Sequence, residues 1–319
     1  PPWSILLLTF TNKAARERLE RVGELVPHGN TMLWGGTFHS FATRILRRNA
    51  AEIGYTPSFT ILDSEDQRSL VGRMIKDLPE EKKKGRKNAK FPKPDVLLAI
   101  HSLAVNPGSE WEAVLNDYYA YLKPFLPGIE EIYEKYTAYK RSSDSMDFDD
   151  LLVNAVVLLR DHEEVRAHYG KKFRYVLVDE YQDTNCIQDA LVDLLVRDHH
   201  NLMVVGDDAQ SIYSWRGADM NHILDFPKKY PEAKMLRIET NYRSVPEILE
   251  LSNASIQRNT RQFEKELTAS RPPSESRPAL VPTRTSSVQA KFVAQRSEEL
   301  MEEGLEGSEI AILYRAHYQ

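Results

Sequence analysis

Val176-Leu177-Val178-Asp179-Glu180-Tyr181-Gln182-Asp183-Thr184 decides how the rest of the chain is read. A short apolar run without polar alternation reads as a strand covered on both faces, the habit of parallel sheets flanked by helices. Its two terminal carboxylates put negative charge at the carboxyl edge of such a sheet, where ligands bind. In a phosphoryl-transfer site the first carboxylate holds Mg²⁺, and the second orients or deprotonates the attacking water. Taken alone, the same pattern also fits a strand that simply ends in solvent.

Further strands have the same character. Ile5-Leu6-Leu7-Leu8 precedes Thr9-Phe10, Leu202-Met203-Val204-Val205 precedes Gly206-Asp207, and Ala311-Ile312-Leu313-Tyr314 lies near the end. Residues 235–240 form a weaker candidate of mixed polarity. Helical patterns alternate with these runs. Ile187, Ala190, Leu191, Leu194 and Leu195 make one apolar stripe. Residues 13–25 form a second helix, with Ala15, Leu19 and Val22 inward. Asp149-Asp150 are placed to cap a third through Leu159. Strand–helix alternation predicts a doubly wound α/β core.

The chain's 319 residues suggest about two domains at ~150 residues each. A net charge of −5 excludes a uniformly basic coat protein but leaves room for a local nucleic-acid groove. Cys186 is the single cysteine, which excludes an internal disulfide framework and fits a reducing, cytoplasmic setting. No apolar run reaches the ~20 residues that span a bilayer, so no membrane partner is expected. The start Pro1-Pro2-Trp3 lacks Met and a signal-like charged segment, and reads as a fragment's beginning.

Residues 49–145 carry no strong buried strand and many tyrosines (Tyr118, Tyr119, Tyr121, Tyr133, Tyr136 and Tyr139). They read as a helical insertion whose tyrosines serve as amphipathic core or as base-stacking platforms. The basic run 82–90 reads as a loop, either solvated or touching duplex phosphates. Pro272, Pro273, Pro278 and Pro282 mark an inter-domain connection or a long surface loop. A helix over 288–301 follows.

The run from Val204 to Asp219 leaves a buried strand and should emerge beside Asp179-Glu180. Gln210 can donate and accept, which suits contact with a γ-phosphate and its attacking water. Tyr213, Trp215 and Arg216 form an aromatic–aromatic–cation cluster on which bases would stack at ~1–3 kcal/mol each. For an isolated tryptophan, a place in the core is the competing reading.

Together these segments resemble superfamily 1 DNA helicases of the UvrD/Rep/PcrA type. Residues 9–15 (Thr-Phe-Thr-Asn-Lys-Ala-Ala) resemble the family's first DNA-contacting motif, and 36–41 (Gly-Thr-Phe-His-Ser-Phe) its next. Residues 146–151 resemble the segment that re-enters the core after the insertion, and 179–188 the Walker B motif. Residues 206–219 resemble the motif coupling ATP to DNA, 239–244 (Glu-Thr-Asn-Tyr-Arg-Ser) the following ATP-contacting motif, and 310–319 the opening strand of a second domain.

The resemblance implies a RecA-like parallel core over 1–48 and 146–268, an inserted helical subdomain over 49–145, and the start of a second RecA-like domain over 269–319. It implies an ATP-dependent helicase or translocase moving 3′ to 5′ on single-stranded DNA and acting at single-strand/duplex junctions, with repair or replication proteins as partners. Asp179 would ligate Mg²⁺, Glu180 would be the catalytic carboxylate, and Gln210 would touch the γ-phosphate. Tyr242 would stack on adenine, and Arg243 would act as an arginine finger or, on the ordinary reading, make a salt bridge. Phe10, Tyr213 and Trp215 would stack on bases, while Thr9, Thr37, His39 and Arg216 would contact the strand. For His39, a buried hydrogen-bonded imidazole is the alternative.

One departure bears on activity. No Gly-x-x-x-x-Gly-Lys-Ser/Thr occurs, and the sole Gly-Lys pair, Gly170-Lys171, has Val165 where the leading glycine belongs. The family's loop of that kind comes just before the Thr9 motif, and its later motifs lie beyond Gln319, so these residues are expected to hydrolyse ATP negligibly. The alternatives are a non-catalytic DNA-binding or interaction module of a repair complex, and a helicase fused to a nuclease.

Overall fold

The structure, a computed structural model, describes residues 1–25, 33–84, 90–105, 111–274 and 276–314. Contacts divide the chain between Met235 and Leu236 into two compact units. This division falls ahead of the proline-rich stretch from which the sequence placed the second domain.

In the first unit, β1 (Ile5–Thr9) leads through a tight turn into α1 (Asn12–Leu25). Next come β2 (Trp34–Thr37) and α2 (Phe38–Arg48). A two-residue strand, β3 (Thr60–Ile61), opens the helical segment α3 (Ser64–Asp77), α4 (Pro94–Val105), α5 (Trp111–Tyr118) and α6 (Leu126–Ser142). The chain returns through β4 (Ser145–Met146), α7 (Phe148–Asp161) and α8 (Glu163–Lys172). It finishes with β5 (Tyr175–Val178), α9 (Cys186–Val196), β6 (Leu202–Val204), α10 (Asn221–Leu224) and α11 (Phe226–Lys229).

Strands β2, β1, β5 and β6 form, in that order, one all-parallel sheet. The register aligns Gly35, Leu7, Leu177 and Met203 in one row and Gly36, Leu8, Val178 and Val204 in the next. The second row, with Leu6 and Val176, faces the core, where Leu6, Leu8, Val176 and Val178 are sealed from solvent. That core is completed by Phe38, Phe41, Ile45 and Leu46 of α2, Leu151, Leu158 and Leu159 of α7, and Ile187 and Leu191 of α9.

The first row faces α1. Leu7, Leu177, Met203 and Val205 line an open groove there with Arg18 and Asp179, and Met203 is 56% exposed. The expectation that both faces of every strand are covered therefore fails on this side. Strand β2 escapes a hydrophobicity reading because Gly35 and Gly36 look like a turn. A Cβ on Gly35 would stand 2.6 Å from Leu19 Cδ2 of α1, so the glycine permits that helix to approach the strand closely.

Side chains fix the helix starts. Thr37 caps α2 by accepting from Ser40 N–H, and Asn185 and Gln188 form a capping box on α9. Asp149-Asp150 do not supply the cap of α7. Asp147 does, with Asp150 closing the box three residues on, because the helix begins at Phe148, two residues earlier than a cap at Asp149 would set it.

Helices α3–α6 bury their own cluster, including Leu70, Val71, Leu97, Ile100, Phe125, Ile129, Ile132, Tyr133 and Tyr136. The two short strands β3 and β4 pair in parallel at the margins of this segment. Its tyrosines divide: Tyr133 and Tyr136 are core, whereas Tyr118, Tyr121 and Tyr139 are exposed.

The second unit pairs β7 (Thr240–Asn241) in parallel with β8 (Thr268–Ala269) around α12 (Pro246–Ile256), and continues to α13 (Ser286–Glu302). Of the strand proposed over 235–240, Thr240 alone enters a ladder. The strand proposed over 311–314 is not formed. Leu313 is 94% exposed, and no described strand pairs with the segment. No described helix is long and apolar enough to cross a membrane.

Candidate functional site

Parallel alignment gathers the strand ends at one edge. Thr9 pairs with Thr37, Asp179 donates its N–H to Leu8 O, and Val205 donates its N–H to Val178 O. Residues that follow β1, β5 and β6 therefore meet there, as ligand-binding residues do in open α/β sheets.

Asp179 directly follows β5 with a mostly buried carboxylate. Arg18 of α1 reaches its Oδ2 through Nη2 at 2.7 Å and Nε at 2.9 Å. Glu180 adopts φ +55° and ψ 44°, a left-handed conformation costly for a residue with a Cβ. This turn directs the chain into a short 3₁₀ segment, Tyr181–Asp183. Gln182, fully buried, spans the junction: Nε2 donates to Glu180 Oε2 at 2.9 Å, and Oε1 accepts the Asp207 N–H at 3.0 Å. Gly206 is dictated by this contact, since a Cβ there would lie 2.6 Å from both Gln182 Oε1 and Ile223 Cδ1. Asp183 Oδ1 is buried without a hydrogen-bond partner, and burial, then the Glu180 charge, push its carboxyl up to about 6.

Beyond Gly206 the loop turns on its own side chains. Asp207 accepts from the Ala209 N–H and from Gln210 Nε2, the latter at 2.7 Å, and Gln210 is exposed. Ser211 Oγ donates to Gln182 O at 3.3 Å. The loop then delivers its aromatic residues to the end of β1. Phe10 and Tyr213 stand 5.3 Å apart between ring centroids, and Tyr213 and Trp215 6.4 Å apart. Trp215 is 58% exposed, which removes the core reading of this tryptophan.

The remaining predicted residues are distributed differently. Thr9 is buried, and its hydroxyl donates to Thr11 O at 3.1 Å, while the Thr37 hydroxyl is occupied in capping α2. Neither hydroxyl is turned outward. His39 is half-buried with its ring edge-on to Phe148, and burial lowers its pKa. The Arg216 side chain lies outside the described residues, as does the centre of the basic run, 85–89. Of that run, Lys82 pairs with Glu131 and Lys83 with Glu80. Tyr242 and Arg243 belong to the second unit, not to the core in which the sequence placed them. Tyr242 is largely exposed, and Asn241 Oδ1 accepts the backbone N–H groups of Arg243 and Ser244, fixing the turn. Sequence reasoning missed Gln182 and Arg18, whose significance depends on partners distant in the chain.

An acidic strand end is thus linked through one buried amide to a loop that carries neighbouring aromatic rings. Comparison with known proteins gives the family. Residues 1–231 match the UvrD/REP helicase N-terminal domain and residues 236–319 the UvrD-like helicase C-terminal domain, so the chain belongs to the UvrD/Rep helicase family. The two matches meet where the contacts divide the chain. Among its relatives is an ATP-dependent DNA helicase PcrA of Leuconostoc citreum, 39% identical over the whole of this chain and 41% of the relative. A second is the ATP-dependent DNA helicase PcrA of Staphylococcus aureus strain Mu50, 37% identical over the whole chain and 42% of the relative. The chain thus spans about two-fifths of the length of these relatives.

Proposed function

We propose that these residues are the RecA-like motor core, with its inserted helical subdomain and the opening of the second RecA-like domain, of an ATP-dependent DNA helicase. The motor moves 3′ to 5′ along single-stranded DNA and unwinds at duplex junctions. The observation that carries this reading is the run of neighbouring rings Phe10, Tyr213 and Trp215, tilted 34° and 45° from one to the next and joined to Asp179-Glu180 through Gln182 and the Gly206–Gln210 loop.

The donor set suits its assigned group. Asp179 offers hard carboxylate oxygen at the sheet edge, as Mg²⁺ requires, and Glu180 stands next to it. Mg²⁺–ATP, when bound, supplies the phosphoryl-transfer chemistry. Asp179 would hold the metal and exchange Arg18 for it. Glu180 would orient the attacking water, and Gln210 would sense the γ-phosphate. By the family resemblance, Tyr242 would stack on adenine and Arg243 would serve the γ-phosphate. Gln182 passes any displacement of the Gly206 loop to Glu180, so nucleotide state and base stacking share one linkage.

The test is titration of the chain with fluorescently labelled oligo(dT). Binding that weakens steeply with salt, and at least fivefold on Trp215→Ala, is expected. Unchanged affinity after that substitution would remove the proposed stacking role.

A further inference from the structure

Three side chains of different donor chemistry, none of them given a nucleotide or DNA role, converge beside those motifs. The Cys186 thiol, a carboxylate oxygen of Asp219 and a ring nitrogen of His222 all lie within 4.8 Å of one another, each side chain half-buried. Cys186 opens α9, while Asp219 and His222 flank the start of α10. The two segments are fixed by backbone bonds. Asp219 N–H donates to Thr184 O at 3.1 Å, and Asn185 and Ala218 form an antiparallel bridge.

Two of the three groups are also oriented. His222 Nδ1 lies 3.0 Å from Thr184 O, an obligate acceptor, so in the neutral ring this nitrogen is the donor and Nε2 is the one available to ligate. A backbone carbonyl holding one imidazole nitrogen so that the other can ligate is the usual outer support of a metal-bound histidine. Asp219 Oδ1 accepts the Asn221 N–H at 2.9 Å, which sets the carboxylate plane.

We propose that Cys186, Asp219 and His222 form a three-ligand site for a borderline-soft divalent cation of the Zn²⁺ class, with water in the fourth position. Metal–ligand bonds of ~2.0–2.3 Å place tetrahedral ligand atoms ~3.3–3.8 Å apart, within small rotamer shifts of the present spacing. A thiolate and an imidazole select such a cation over Mg²⁺, which demands oxygen. Binding forms a metal–sulfur bond and releases the thiol proton to solvent. The bound ion would cross-link the start of α9, directly after the acidic strand end, to the turn that follows Trp215.

The test uses the reduced, chelator-treated chain titrated with Co²⁺ and then Zn²⁺. Cys186 is the single cysteine, so a thiolate-to-cobalt charge-transfer band reports this site and no other. The expected result is one equivalent of Co²⁺ with that band, displaced by Zn²⁺ but not by excess Mg²⁺, and a Zn²⁺-dependent rise in Tm. Cys186→Ser should abolish the band, and His222→Gln and Asp219→Asn should each weaken Zn²⁺ binding at least tenfold. Circular dichroism identifies any variant that fails to fold, and the reading then rests on the other two. No charge-transfer band from the unsubstituted chain, or full Zn²⁺ affinity in a folded His222→Gln or Asp219→Asn variant, overturns the proposal.

Discussion

Gln182 holds Glu180 by a hydrogen bond of 2.9 Å from Nε2 to Oε2, and with the same amide accepts the Asp207 N–H at 3.0 Å. A side chain with one donor arm and one acceptor arm can join a carboxylate to a backbone N–H, and Gln182 is buried, so no water substitutes for either arm. Gln182→Ala should lower stability by ~1–3 kcal/mol in urea unfolding, the cost of leaving buried polar groups unpaired. Gly206→Ala drives a Cβ against the same amide and should also destabilise. Because both substitutions strike one contact, the double variant should lose less than the sum of the two. Strict additivity would mean that the amide does not join the two segments.

Phe10 and Tyr213 come from strand ends far apart in sequence, yet their rings stand 5.3 Å apart. If they present one stacking surface to single-stranded DNA, Phe10→Ala and Tyr213→Ala should each cost ~1–3 kcal/mol of oligo(dT) affinity. Their contact predicts a coupling of about 0.5 kcal/mol or more in a double-mutant cycle read by fluorescence anisotropy. Zero coupling would make the two rings separate contributors.

Strands β1 and β5 were legible because each is a continuous apolar run, and their carboxyl ends carry the chemistry by virtue of a parallel register. Strand β2 was not, since Gly35 and Gly36 trade side-chain signal for close approach of α1. The segment 311–314 shows the converse: Ile312 and Leu313 have strand-like side chains, but a strand needs a neighbour, and none is present among the described residues. The resemblance gave Phe10, Tyr213 and Trp215 a shared base-stacking role but not the contact of Phe10 with Tyr213, and the Gln182 bridge likewise depends on a rotamer that no spacing reveals.

Lys140, in α6, is almost fully buried, 2.6 Å from Asp147 Oδ2 and 2.7 Å from Asp150 Oδ2. Burial works to lower its pKa, but the two carboxylates outweigh it and hold the ammonium charged. Tyr136 donates a further hydrogen bond to Asp147 Oδ2 at 3.0 Å. Lys140→Met therefore strands the buried Asp147 carboxylate and should cost ~3–5 kcal/mol in chemical denaturation. Adding Asp147→Asn keeps a capping side chain on α7 while removing the stranded charge, so the double variant should recover part of the loss. A double variant no more stable than Lys140→Met alone would show that the charge is not the cause.

Asp149 sits in the first turn of α7, where the helix dipole favours its anion. Burial prevails instead, and with the Asp147 charge it pushes the carboxyl up to about 6, against the opposing hydrogen bond from Ser102 Oγ at 3.1 Å. The folded chain therefore keeps a proton at Asp149 that the unfolded chain, titrating near 3.8, has already released. Its contribution favours the folded state below that lower value and is lost as pH rises from about 4 to about 6. Asp149→Asn, uncharged throughout, should flatten the stability profile across this window by on the order of 1–2 kcal/mol, with the variant gaining on the parent at neutral pH. Urea denaturation at closely spaced pH values reads this directly, and parallel curves for parent and variant would assign the pH dependence to other groups.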